Sequence, residues 1–318
     1  MTKIMVDNWF MEEVVSDIKG KKINQSDYYE RLLMAIVLWD EVYYPKNKYN
    51  YWNAISSEVK NALLPLDDDN ESGKEEAIKR LYDYKKIPID EYYRLKCKEP
   101  FLFRREDAIN CGAIRYLMLS SSNGLDYLPC DERREFLFKY LNENTIRTYL
   151  SRMNLQNNLT KTIEEYYVES YKMLADFTNL KIKMPILSKY IFENTPESMT
   201  PVDFAFHLKN EGQVVKYRKY LDEIENALET QDWKELRYLN RCSEDAVNSV
   251  LLLDKKRLKG ITVRILPTPS IMFNTSNVAA GLSLSPSFSI NNFEKLFRKF
   301  NLTFIKDITK YAIDDMHI

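Results

Sequence analysis

Between residues 200 and 258 the apolar positions recur at helical spacing. Val214, Tyr217, Leu221, Ile224 and Leu228 fall three or four residues apart, which lays one apolar stripe along a helix. Before them, Thr200 offers an N-cap hydroxyl, Pro201 suits a first helical position, and Asp203 adds negative charge at a helix's positive end. Gly212 interrupts the segment. Glu229 and Thr230 mark a turn, and Trp233, Leu236 and Leu239 carry the next stripe. The pattern predicts two antiparallel helices joined by a short connection. A heptad seam against a second chain has the same spacing, but two stripes of about two heptads each suit intramolecular core better.

Earlier in the chain, Phe10, Val14 and Ile18 share a helical face over residues 8–18, and Gly20 closes that helix. Ser26 caps a second helix running through Tyr28, Leu32, Leu33, Ile36 and Trp39 to Tyr43 and Tyr44, with Pro45 as its stop. Its unbroken apolar run, residues 32–39, implies burial nearly all round; a strand over 35–43 is the alternative reading. Residues 52–64 predict another helix, 65–74 (PLDDDNESGK) an exposed loop, and 74–84 the helix after it. A helix over 107–122 stops at Asn123 and Gly124, and Asp131 opens one with Phe136, Leu137, Tyr140 and Leu141 on its buried face. Thr162 and Glu165 form a capping box, and Leu180, Ile182 and Met184 alternate as in a short strand.

After Gly260 the character changes. Ile261, Val263 and Ile265, then Ile271 and Phe273, Leu282 and Leu284, and Phe288 and Ile290 alternate between Pro267, Pro269, Asn274, Gly281 and Pro286. These spacings predict two to four short strands, followed by helices over 292–300 and 303–313. The expected fold class is mainly α (α+β): a multi-helix, bundle-like body with a small β-containing C-terminal segment. The expected regions are 1–150, helical; 151–259, helical with the helix pair; and 260–318, short strands followed by two helices.

Composition removes several chemistries. With 45% hydrophobic and 29% charged residues, the 318-residue chain can bury a core rather than stay disordered. There are seven glycines, and neither GxxxxGK[ST] nor GxGxxG occurs, so phosphate-cradling loops of those types are excluded. The cysteines, at 97, 111, 130 and 242, form no CxxC pair; free thiols in a reducing compartment are expected. The N-terminus has no basic segment leading into an apolar one, and no apolar run approaches a bilayer's width. The expectation is therefore no signal peptide, no membrane span and a cytoplasmic location.

His207 and His317 are the only histidines, so a catalytic triad would have to use His207, which lies mid-helix. Carboxylates are plentiful. Asp90 and Glu91, followed by Lys96 and Lys98, loosely match the acids and lysine of a metal-dependent nuclease, and Asp131, Glu132 and Glu135 form a second acidic spot. The acidic stretch at 65–74 lacks the ligand pattern of an EF-hand. No metal or cofactor is expected.

Charge is uneven. Residues 251–318 hold ten Lys and Arg against five Asp and Glu, a net of +5, so the rest of the chain carries −6. Lys255, Lys256, Arg257, Lys259, Arg264, Arg298 and Lys299 are the candidate residues for an anionic partner. Cations at a helix end, facing its last carbonyls, give the first four a purely structural role as well. The function expected is a non-enzymatic interaction or regulatory protein, a subunit of a bacterial multi-protein system, with a protein partner or a second copy bound. The alternative is a nucleic-acid-binding protein, or a metal-dependent nuclease or toxin that uses carboxylates.

Overall fold

A parallel sheet organises the N-terminal part of the chain. The computed structural model describes residues 2–20, 27–46, 57–68, 71–88, 90, 105–141, 152, 156, 159–161, 186–251 and 302–316. The chain divides into two compact units, Met1–Tyr149 with Glu197–Phe206, and Leu150–Pro196 with His207–Ile318.

The first unit runs β1 (Lys3–Val6), α1 (Asn8–Lys19), α2 (Asp27–Leu38), β2 (Glu41–Lys46), α3 (Ser57–Ala62), β3 (Leu64–Asp67), α4 (Glu71–Lys85), α5 (Arg105–Ser122), β4 (Asp126–Leu128) and α6 (Asp131–Tyr140). All pairings are parallel and the strand order is β3-β2-β1-β4. Met5 lies level with Tyr43 on one side and with Tyr127 on the other. These three join a core with Ala77 and Leu81 of α4, Ala113 and Ile114 of α5, and Phe136 and Leu137 of α6. The alternate strand positions Ile4, Val6, Val42 and Tyr44 are as deeply buried. A sheet covered on both faces has apolar residues at successive positions, so Ile-Met-Val in β1 shows no period-two signal.

Three sequence expectations change here. The second predicted helix ends at Leu38, and Val42, Tyr43, Tyr44 and Pro45 lie in β2. The turn is held by Asp40, whose carboxylate accepts from the Thr2 N–H at 2.7 Å while its own N–H donates to the Thr2 carbonyl at 3.0 Å. β-Branched and aromatic residues then favour the pleated strand. Residues 64–67 leave their predicted helix and loop to form β3, and Asp68, expected on the surface, is 2% exposed. The expected β structure at 260–290 lies outside the described residues, as do the capping box at Thr162 and the alternation at 180–184. Helix dominates the described residues, and the four strands of the first unit are the β structure among them.

The second unit contains α7 (Ile186–Asn194), α9 (Gly212–Glu229), α10 (Trp233–Leu251) and α11 (Thr303–Met316); α8 (Pro201–Lys209) spans the division between the units. The N-cap at Thr200 forms: its hydroxyl accepts from the Asp203 N–H at 3.2 Å. The predicted helix pair is α9 and α10. Val214, Tyr217, Leu221 and Ile224 are buried, and the Tyr220 hydroxyl donates to the Leu239 carbonyl at 2.9 Å. Thr230 caps α9, Gln231 turns the chain at φ 55°, and Asp232 accepts from the N–H groups of Lys234 and Glu235 to start α10. The tail helix α11 packs on α7, α9 and α10, with Phe304 against Tyr217 and Tyr311 against Tyr190. Arg152, fully buried, is held between Asp222 and Glu225 of α9.

Candidate functional site at the carboxyl edge of the sheet

The strand order reverses between β1 and β4, and open α/β sheets bind ligands at the carboxyl ends of strands at such a reversal. Asp7 leaves β1 at that point. It is 0% exposed, caps α1 by accepting from the Trp9 N–H at 2.7 Å, and donates its own N–H to the Leu128 carbonyl of β4 at 3.0 Å. The Tyr127 hydroxyl donates to its second carboxylate oxygen.

Arg133, in the first turn of α6, completes the cluster. Its Nη1 donates to Asp7 Oδ1 at 2.5 Å and to Asn8 Oδ1 at 2.8 Å, and its side chain is 4% exposed. The guanidinium lies over the Trp9 ring at 4.6 Å and over the Tyr116 ring at 5.0 Å, a cation–π arrangement on both. Burial works against its charge, Asp7 and Tyr127 favour it, and the balance leaves its pKa above the ordinary value. Helix α5 comes close because residue 112 is glycine. A Cβ there would stand 2.5 Å from Arg133 Nη2.

A second pair closes the edge beyond β3. Arg115 Nη2 donates to Asp68 Oδ1 at 2.5 Å and to the Asp68 carbonyl at 2.7 Å, and its guanidinium also lies over the Tyr116 ring, at 5.6 Å. Burial and then the charges of Glu12, Asp7 and Asp68 raise the Tyr44 pKa, so these three carboxyl groups share the end of the sheet with it. Burial, reinforced by Asp7, also raises the Glu12 carboxyl. Desolvation pushes the Cys111 thiol to about 11 and the Cys130 thiol to about 12. Both stay protonated at neutral pH, so neither is a ready nucleophile.

Asp131, from the second predicted acidic spot, is engaged as well. Arg31 grips it with two hydrogen bonds, at 2.9 and 3.2 Å, and Arg134 adds a contact at 2.9 Å. Arg31 itself lies over the Tyr28 ring at 4.5 Å. Glu135 pairs with Lys139 on the surface. Asp90 is exposed, while Glu91, Lys96 and Lys98 lie outside the described residues. His207 is exposed, and His317 lies outside them too.

The basic candidates Lys255, Lys256, Arg257, Lys259, Arg264, Arg298 and Lys299 all fall outside the described residues. Among the described residues no three His, Cys, Asp or Glu side chains are grouped to hold a metal ion. No helix among them is long and apolar enough to cross a membrane.

Sequence reasoning missed Asp7, Asp68, Arg115 and Arg133. The legible signal was the apolar triplet Ile4-Met5-Val6 ended by Asp7, a buried strand followed by a helix cap. Nothing in the spacing links Asp7 to Arg133, which lies 126 positions away. Comparison with family models, curated proteins and solved structures finds no match to this chain.

Proposed function

We propose that the chain is a non-enzymatic interaction or regulatory protein that works as a subunit of a multi-protein system. One observation carries this reading. Three acids that the fold brings to the carboxyl edge of the sheet are held by arginines: Asp7 by Arg133, Asp68 by Arg115, and Asp131 by Arg31 and Arg134. A hydrolytic metal site needs its carboxylates aimed at the cation. Here guanidinium groups take those lone pairs, and removing one partner of a buried pair is strongly destabilising. The cluster therefore supports a structural role for the acids and leaves function to the surface of the molecule.

A second reading, metal-dependent cleavage of nucleic acid, draws on the placement of Asp7 and Asp68 just past strand ends. It requires both arginines to release their acids. Incubation of the purified chain with RNA, single-stranded DNA and duplex DNA in Mg²⁺ or Mn²⁺ separates the two. We expect no cleavage. Metal-dependent cleavage that disappears in Asp7→Asn would replace the first reading with the second. The subunit reading also predicts that in native extracts the protein runs well above its 37.8 kDa chain mass. Elution only as the free monomer contradicts it.

A further inference from the structure

We propose that the outer face of the α9–α10 pair binds the phosphate backbone of a nucleic acid without cleaving it. This inference uses none of the residues at the carboxyl edge and stands or falls separately from the subunit reading above. Lys234, Arg237 and Arg241 stand three and four residues apart on α10, so they form one line along the helix. All three are exposed, and the line runs opposite the buried positions Leu239, Ser243 and Ala246. Seven residues of helix rise about 10 Å, so three cations crowd into that length. Like charges one turn apart repel. The ion pairs of this unit join Arg152 to Asp222 and Glu225, and Lys189 to Glu193; among the described residues none engages the line. Asp245, one turn beyond Arg241, offsets the charge at that end alone.

Helix α9 extends the positive surface. Lys216 and Lys219 are exposed on it, and the bond from the Tyr220 hydroxyl to the Leu239 carbonyl sets them near the level of Arg241. Of the α9 acids, Asp222 and Glu225 are committed to Arg152, and Glu223 is half-buried. The chemistry of this face selects the partner. A protein interface is centred on desolvated aromatic and apolar anchors. The large exposed apolar side chains among the described residues are Leu64, Tyr84, Met199 and Phe206, and none of them lies on α9 or α10. A second copy docked through the same face would set cations against cations. A nucleic-acid backbone carries one charge about every 3.4 Å per strand, dense enough to meet the whole line. Each arginine fork takes two oxygens of one phosphate. Such contacts need no cavity, because exposed cations displace the counterions of the backbone from the surface, and they read no base sequence.

The test is fluorescence anisotropy of the purified whole chain with labelled RNA, single-stranded DNA and duplex DNA of mixed sequence, in the absence of divalent metal. We expect binding at about 50 mM salt that weakens steeply as salt rises. The triple variant Lys234→Glu, Arg237→Glu, Arg241→Glu should lose at least about tenfold in affinity at that salt. Arg237→Gln removes one phosphate contact, so it should flatten the log–log salt dependence by about 0.7–0.9. A thermal midpoint for each variant checks the fold, and Arg237→Gln alone decides if the triple variant does not fold. No binding of any of the three nucleic acids at about 50 mM salt overturns the proposal. So does wild-type affinity in the triple variant, or an unchanged salt dependence in Arg237→Gln. Displacement of the probe by polyglutamate at equal charge concentration also overturns it, and makes the partner an acidic protein.

Discussion

Glu30 lies on α2 with 5% of its surface exposed, and burial, followed by the nearby charge of Asp27, raises its pKa from 4.5 to about 7. A carboxyl whose folded pKa is raised binds its proton more tightly in the folded state. Stability therefore falls as pH rises from about 4.5 through about 7, and the cost is complete above that window. Glu30→Gln keeps the shape and removes the charge. It should gain up to about 3 kcal/mol on the wild type between pH 5 and pH 8, read by urea unfolding at both. A difference independent of pH would show that Glu30 ionises freely. Leu221 gives a second residue-level check. It is fully buried in α9, while Glu223 is half-buried. Leu221→Ala should cost about 2–5 kcal/mol and Glu223→Ala under about 0.5. Equal costs would contradict the assigned face.

Elements differ in how openly the chain displays them. Helices α1, α5, α6, α9 and α11 follow their apolar stripes and end signals closely. Gly20 closes α1, and Gly124, at φ 63°, follows α5. The strands are three to six residues long. β1 is apolar on both faces, and β2 continues the apolar run of α2 across a two-residue turn, so a period-based reading merges it with that helix. Glycine substitutions test the helices directly. Alanine usually favours a helix over glycine by about 1 kcal/mol. At Gly212 an added methyl meets open space, so Gly212→Ala should be neutral or stabilise by up to about 1 kcal/mol. At Gly112 the methyl meets Arg133, so Gly112→Ala should destabilise by about 1–3 kcal/mol despite its propensity. Thermal midpoints for both variants settle the contrast, and a stabilised Gly112→Ala would mean that Arg133 does not lie against α5.

At the scale of the molecule, local pattern and long-range placement part company. The mainly helical character and the helix pair follow from spacing alone. The candidate site does not, because it joins residues 7, 68, 115 and 133 through a sheet whose order, β3-β2-β1-β4, no local signal specifies. At the carboxyl edge the fold commits Asp7, Asp68 and Asp131 to arginines. That commitment is the centre of the account, and a double-mutant cycle at Asp7 and Arg133 measures it most directly. Asp7→Asn retains a side chain able to cap α1 and removes the charge; Arg133→Met removes the guanidinium and keeps apolar bulk. Unfolding free energies of the wild type, both single variants and the double variant should give a favourable coupling of about 1–3 kcal/mol. A coupling within about 0.3 kcal/mol of zero would mean that the two groups act independently, and the closed carboxyl edge would be wrong.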